Sequence, residues 1–272
     1  MTAQTLTVPG ARLHYAVTGS GPALLLIPGG PADSGAFDGL RGPLSEHYTV
    51  VTYDPRGISR SPLDGQPIDD DRELLRQHAD DIHHLLTAVT SEPAFVFASS
   101  GGAVSALDHL TRYPGKVATL IAHEPPITRY LGAPAPGAPD LKKVYREQGV
   151  GPAMAMFMAS AGLDGGDAPQ PPADPTPEQR EQTALMQANF GFFLGHLMHA
   201  VGSYEPDLAA LKATPARIVV AVGAESGGQP AHESARAFAA DLGQEPAVFP
   251  GDHGFGDPGK FAARLHEVLG QH

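Results

Sequence analysis

The run Pro93-Ala94-Phe95-Val96-Phe97-Ala98-Ser99-Ser100-Gly101-Gly102-Ala103 constrains the fold of this chain more than any other segment. A short apolar stretch of β character breaks into two serines and two glycines, then into a helical pattern. A strand delivers a serine in this way onto a sharp turn at the mouth of an α/β sheet. The strained turn leaves room only for small residues two positions either side of that serine. With Ser99 in the role, Phe97 would occupy the tight position; with Ser100, the flanking residues are Ala98 and Gly102. The spacing selects Ser100 as the candidate nucleophile.

The rest of the chain alternates between strand-like and helix-like segments, which predicts βαβ units and a mostly parallel sheet. Strands are expected over 5–8 and 13–18, as a hairpin around Pro9-Gly10, and over 23–27, 48–53, 95–98, 117–122, 218–222 and 247–249. The continuous apolar run at 23–27 suits a strand buried on both faces. Helices are expected over 72–89, 102–113, 231–242 and 261–269. In the first of these, Leu74, Leu75, Ile82, Leu85 and Leu86 fall at helical period, behind the acidic Asp69-Asp70-Asp71 that suits a helix N-terminus.

One region departs from the alternation. Between 128 and 211 no convincing strand is found. A Pro/Gly/Ala loop (132–139), a helical stretch (141–161), a low-complexity spacer (162–177) and a second helical stretch (177–203) follow one another. This reads as a helical cap inserted into a core domain made of 1–127 and 212–272. Met186, Phe190, Phe193 and Leu197 lie at helical spacing, a pattern that most often means packing between helices. Met154, Phe157, Phe190, Phe193 and His196 are the cap residues expected to reach a substrate.

Composition narrows the function classes. The formal charge of −12 argues against nucleic acid or an anionic membrane as partner. The absence of Cys among 272 residues excludes disulfides, thiolate catalysis and Cys-ligated metal. The N-terminus lacks a basic segment followed by an apolar run, and 23–27 is too short to span a bilayer, so a cytoplasmic location is expected. Among 13 His, His196 and His199 are spaced i, i+3 but have no carboxylate completing a ligand motif, and neither metal nor cofactor is expected. The expected partner is a small-molecule substrate, with a homodimer left open.

A serine hydroxyl needs a base, and His253 is the candidate. It lies in Gly251-Asp252-His253-Gly254, a glycine-flanked loop between the last strand and the last helix. His123, at a strand end, is its rival. Oxyanion donors are expected from the N–H groups of Gly30, in the turn Pro28-Gly29-Gly30 after the strand at 23–27, and of Gly101, directly after Ser100. Two carboxylates could fix the imidazole: Glu124 in His123-Glu124-Pro125-Pro126, and Glu225 in Gly223-Ala224-Glu225-Ser226. Glu124 is favoured, because it stands at a strand's carboxyl end with two prolines stiffening the chain behind it; Glu225 is the alternative. Asp54-Pro55-Arg56-Gly57 reads as a loop braced by its own polar groups.

Taken together, Pro28-Gly29-Gly30, Asp54-Pro55-Arg56-Gly57, Ala98-Ser99-Ser100-Gly101-Gly102 and Gly251-Asp252-His253 resemble the α/β-hydrolase superfamily over almost the whole chain. The Ser-Ser-Gly-Gly elbow and the His-Glu-Pro-Pro segment are also similar to those of a branch of bacterial hydrolases. The resemblance implies an α/β-hydrolase fold with an eight-stranded, mostly parallel sheet flanked by helices, and the chain order nucleophile, acid, base. That order fits Ser100, Glu124 and His253. In the usual pattern the acid stands three residues after the glycine at 223; here that position is Ser226, which cannot serve. Some members, including certain lactonases, carry the acid at the position matched by Glu124. Two further departures are Ala98 for the first glycine of the elbow and Pro28 where many members have His. The implied function is hydrolysis of an ester or lactone of a small, partly apolar substrate through an acyl-enzyme. Hydrolytic C–C cleavage, cofactor-free perhydrolysis and a low-turnover ligand receptor are the alternatives on the same residues.

Overall fold

The computed structural model describes residues 2–132, 140–163 and 174–271. The expected loop at 132–139 and spacer at 162–177 therefore lie mostly outside the described residues. Eight strands form one sheet: β1 (Thr2–Val8), β2 (Ala11–Thr18), β3 (Ala23–Ile27), β4 (Thr49–Tyr53), β5 (Ala94–Ser99), β6 (Val117–His123), β7 (Arg217–Gly223) and β8 (Ala247–Phe249). Their spatial order is β1-β2-β4-β3-β5-β6-β7-β8. The β1–β2 hairpin and the β2–β4 pair are antiparallel, and every other pair is parallel.

The described helices are α1 (Asp38–Ser45), α2 (Asp71–Val89), α3 (Gly101–Arg112), α4 (Leu141–Gln148), α5 (Val150–Ser160), α6 (Pro177–Phe192), α7 (Met198–Gly202), α8 (Leu208–Ala213), α9 (Pro230–Leu242) and α10 (Pro258–Leu269). Strand β3 explains why helices cover both sides. Its Leu25 and Ile27 join a core with Leu75 and Ile82 of α2, Leu107 of α3 and Phe238 of α9. The alternate residues Leu24 and Leu26 join a second core with Leu40 of α1 and Phe261 and Leu265 of α10. An all-apolar strand needs both cores, since successive side chains point to opposite faces.

Every predicted strand forms, with bounds shifted by a few residues at the amino-terminal hairpin. Helix α1 was not anticipated, because Gly39, Gly42 and Pro43 hide its pattern. Between β6 and β7 the elements among the described residues are all helices, with no strand. The expected helix over 141–161 is two helices, α4 and α5, broken at Gly149 with φ +85°. The second expected helix runs through α6, a π-helical turn at Phe193–Leu197, and α7. Of its supposed packing stripe, Met186 is 49% exposed, whereas Phe193 and Leu197 are buried. The boundary expected at 211/212 falls inside α8, which packs on α3 and α9.

The topology also fixes where a ligand can sit. From β3 the chain passes outward to β4 and then returns across to β5, so β3 has successors on both sides. Ligands of open α/β sheets bind at the carboxyl ends beside such a reversal. Parallel register brings those ends level: Ile27 lies opposite Ala98, Ser99 opposite His123, and His123 opposite Ala221.

Candidate active site

At the carboxyl end of β5 the backbone strain falls on Ser100, with φ 54° and ψ −127° between the strand and α3. A non-glycine residue held there costs about 1–3 kcal/mol and persists only where its surroundings over-determine it. Here the Ser100 N–H donates to His123 O at 2.8 Å. The loop after β3 presses against the elbow backbone to backbone. A methyl group on Gly29 would lie 2.5 Å from Ser99 O and 2.6 Å from Ser100 Cβ, and one on Gly102 would collide with Pro28 O. Neighbouring Gly30 has φ +57°, and a methyl on Gly101 would stand 3.8 Å from Gly30 N. As first residue of α3, Gly101 has an N–H ahead of the intrahelical ladder. Ser100, Gly30, Gly101 and His253 all line one cavity of about 290 Å³.

Glu124 follows β6 in the left-handed region, at φ +47°, and is fully buried. Its backbone N–H donates to Ala221 O at 2.9 Å. Its carboxylate is held from two sides. Oε2 accepts from His253 Nδ1 at 2.5 Å, and Oε1 accepts from the Gly223 N–H at 2.9 Å and from the Ser226 hydroxyl. Burial alone would raise the pKa of this carboxyl. The His253 hydrogen bond and the Ser226 and Gly223 donors together reverse that and lower it to about 2. The carboxylate only accepts, so His253 donates from Nδ1 and its Nε2 is the nitrogen left for the cavity.

The other candidates fall elsewhere. Glu225 is exposed, its backbone N–H bonded to Gly251 O at 2.9 Å, and its carboxylate makes no ion pair with His253 among the described residues. His123 is fully buried among Phe97, Phe249 and Phe261. Burial pushes its pKa down to about 4, so it stays neutral behind the site. Arg56 is buried and pairs with Asp81 through bonds of 2.7 and 2.5 Å, while Asp54 accepts from Ser34 N and from Arg60. These groups brace their loop.

Of the expected substrate contacts, Phe157 and Phe193 line the cavity, their ring centroids 4.9 Å apart and edge to face. Met154, Phe190 and His196 are not among the lining residues. Met154 packs against the core, and His196 sits beside the Phe192 ring at 5.5 Å. Leu197, Met198 and Val201 line the cavity beside Phe193, and Leu197 and Val201 continue the i, i+4 spacing from Phe193 through the π-helical turn. Sequence reasoning also missed Ser226 as a partner of the acid, although its spacing from Gly223 marked the position. Among the described residues no group of three His, Asp or Glu side chains is placed to hold a metal, and no helix is long and apolar enough to cross a membrane.

Comparison with known proteins agrees with this fold. Residues 24–264 match the model of the alpha/beta hydrolase family. The chain is 37% identical over 278 residues to the uncharacterized hydrolase YraK of Bacillus subtilis, an alignment covering 97% of this chain and 95% of that protein. It is 29% identical over 126 residues to the serine hydrolase BPHL of Homo sapiens, covering 44% of this chain and 42% of that protein. An alpha/beta hydrolase from Sphaerobacter thermophilus shares the fold with a TM-score of 0.71 at 21% identity, over 98% of this chain and 100% of that one.

Proposed function

Because the chain belongs to the alpha/beta hydrolase family, we propose that it is a serine hydrolase of carboxylic esters or lactones that carry an apolar part. The observation that carries the reading is the 2.5 Å contact from buried Glu124 to His253, at a cavity shared with the strained Ser100. The partial likeness to a serine hydrolase adds support.

In this mechanism His253 Nε2 takes the hydroxyl proton as Ser100 Oγ attacks the substrate carbonyl carbon. The oxyanion that forms is held by the N–H groups of Gly30 and Gly101. His253 then returns the proton to the leaving alkoxide, which departs and leaves an acyl group on Ser100. Water, deprotonated by His253, attacks that acyl group, and collapse of the second intermediate restores the serine. Glu124 keeps the imidazole in the Nδ1–H tautomer and stabilises it when charged. The described helices α4 to α7 act as a cap over the core, and Phe157, Phe193 and Leu197 of this region form an apolar wall suited to an uncharged substrate part.

The test uses a fluorophosphonate probe together with aryl esters of graded acyl length and matched lactones. The expected result is labelling and turnover in the wild type, both lost in Ser100→Ala. Labelling that survives Ser100→Ala would sink the assignment of the nucleophile. Labelling without ester or lactone turnover would transfer the triad to C–C cleavage or perhydrolysis.

A further inference from the structure

Glu124 is an unusual place to keep a catalytic carboxylate. It sits in a strained backbone conformation, directly before Pro125, with no solvent contact to orient it. Oε1 is held by the Gly223 N–H at the end of β7 and by Ser226 of the β7–α9 loop, which in turn meets α9. The Ser226 hydroxyl reaches Glu124 Oε1, and Ser226 Oγ also lies 2.9 Å from His232 Nδ1 and 3.1 Å from Gly223 O. A hydroxyl has one hydrogen. Its charged acceptor is also the nearer one, and a hydrogen bond to a charged group outweighs one to a neutral carbonyl. With that hydrogen on Glu124, the contact to His232 requires the imidazole to donate. The order is then His232 Nδ1–H to Ser226 Oγ, Ser226 O–H to Glu124 Oε1, and His253 Nδ1–H to Glu124 Oε2.

We propose that Ser226 and His232 are positioning residues that orient and polarise Glu124, and through it set the proton affinity of His253. The inference rests on the hydrolase reading of Ser100, Glu124 and His253. Both residues suit the task. Ser226 is fully buried, and His232, 9% exposed, stands in the first turn of α9, which Pro230 opens. His232 Nδ1 lies 3.5 Å from Glu124 Oε1, too far to replace the hydroxyl directly. The ionisable groups around the carboxylate are His123 on β6, His253 in the loop after β8 and His232 on α9, and Asp252 acts on His123. A donor on Oε1 draws charge away from Oε2. Removing it leaves more charge facing His253 and loosens the orientation of the carboxylate.

The experiment is a pH profile of kcat and kcat/KM on an aryl ester for the full chain and its variants. Ser226→Ala is expected to lose about 10- to 100-fold in kcat, the equivalent of one hydrogen bond to a charged group, with little change in KM. The acidic limb of its kcat/KM profile moves to higher pH. His232→Leu changes both in the same directions, and His232→Asn, which keeps an N–H at the δ position, restores them. The double variant Ser226→Ala/His232→Leu is no worse than Ser226→Ala alone, because His232 acts through Ser226. An unmoved acidic limb, or losses that multiply in the double variant, overturns the proposal. Should Ser226→Ala fail to fold, the comparison of His232→Leu with His232→Asn decides by the same criteria. Ser100→Ala and Glu124→Gln run alongside. Full activity in these would overturn the hydrolase reading itself, whereas their inactivity beside wild-type behaviour in Ser226→Ala overturns only this inference.

Discussion

Two of the three non-glycine residues with positive φ among the described residues, Ser100 and Glu124, meet at this site. Each is secured by close backbone neighbours, which is how strain survives in a folded chain. The elbow depends on the missing side chain of Gly29. Gly29→Ala would drive a methyl into Ser99 O and Ser100 Cβ, so it is expected to cost about 1–3 kcal/mol of stability, read as a lower denaturation midpoint, and to depress kcat. Glu124 makes the sharper test. Glu124→Gln keeps the size of the side chain but removes the charge that stabilises a protonated His253, and its amide presents N–H where donors already point. Steady-state ester hydrolysis should fall by about 10³- to 10⁴-fold in kcat, while Glu225→Gln stays near wild type. The reverse ranking would reassign the acid.

At the scale of elements, the helices between β6 and β7 are pinned to the loops after β3 and β4. Buried Asn189 of α6 accepts from the Ser59 N–H at 2.8 Å and donates to Ser59 Oγ at 2.9 Å, and Ser59 Oγ donates to Asp33 Oδ2 at 2.6 Å. Beside this contact the Phe192 ring lies against Gly57, where a methyl would come within 2.5 Å of it. Asn189→Ala leaves the Ser59 N–H unpaired and should cost about 1–3 kcal/mol. Amide exchange is expected to quicken across 177–192 while the sheet keeps its protection, with KM for apolar esters rising more than kcat falls. Uniform loss of protection would mean that α6 and the sheet open as one unit.

For the whole molecule, acid is the vulnerable direction. Burial holds His78 and His109 at pKa values of about 3 and His123 at about 4, all below the ordinary 6.5. Between those limits the unfolded chain binds more protons than the folded one. The contribution of these three groups is therefore complete above pH 6.5 and is lost as the pH falls through that window. Glu124, lowered from 4.5 to about 2, adds to the loss below pH 4.5. Asp81 runs the other way, since burial raises its pKa to about 6 despite Arg56, and burial raises Asp108 likewise, but burial also lowers His14, His83 and His196, which add to the acid-sensitive side. Thermal melts should show Tm declining steadily from pH 7 to pH 4. A flat Tm over that range would contradict neutral burial of the three imidazoles.

Some of this was decided by residues close together in sequence. The elbow was legible because the small-x-Ser-x-Gly constraint is steric and local, and the strands because runs such as Ala23-Leu24-Leu25-Leu26-Ile27 carry their burial in their composition. Gly30, Gly101 and His253 could be named because each stands next to a strand end. Which of the two carboxylates lies beside the imidazole belonged to the tertiary structure. Glu124 and His253 are 129 residues apart, and only the register of β6 against β7, with the turn at Ser226, brings the carboxylate to the imidazole and leaves Glu225 outside. The cavity wall was likewise set by packing. Helical spacing puts Phe190, Phe193 and Leu197 on one face but carries no record of which part of that face meets the cavity, and of the three only Phe193 and Leu197 line it. Local sterics are written in neighbouring residues, whereas long-range contacts depend on how whole elements align.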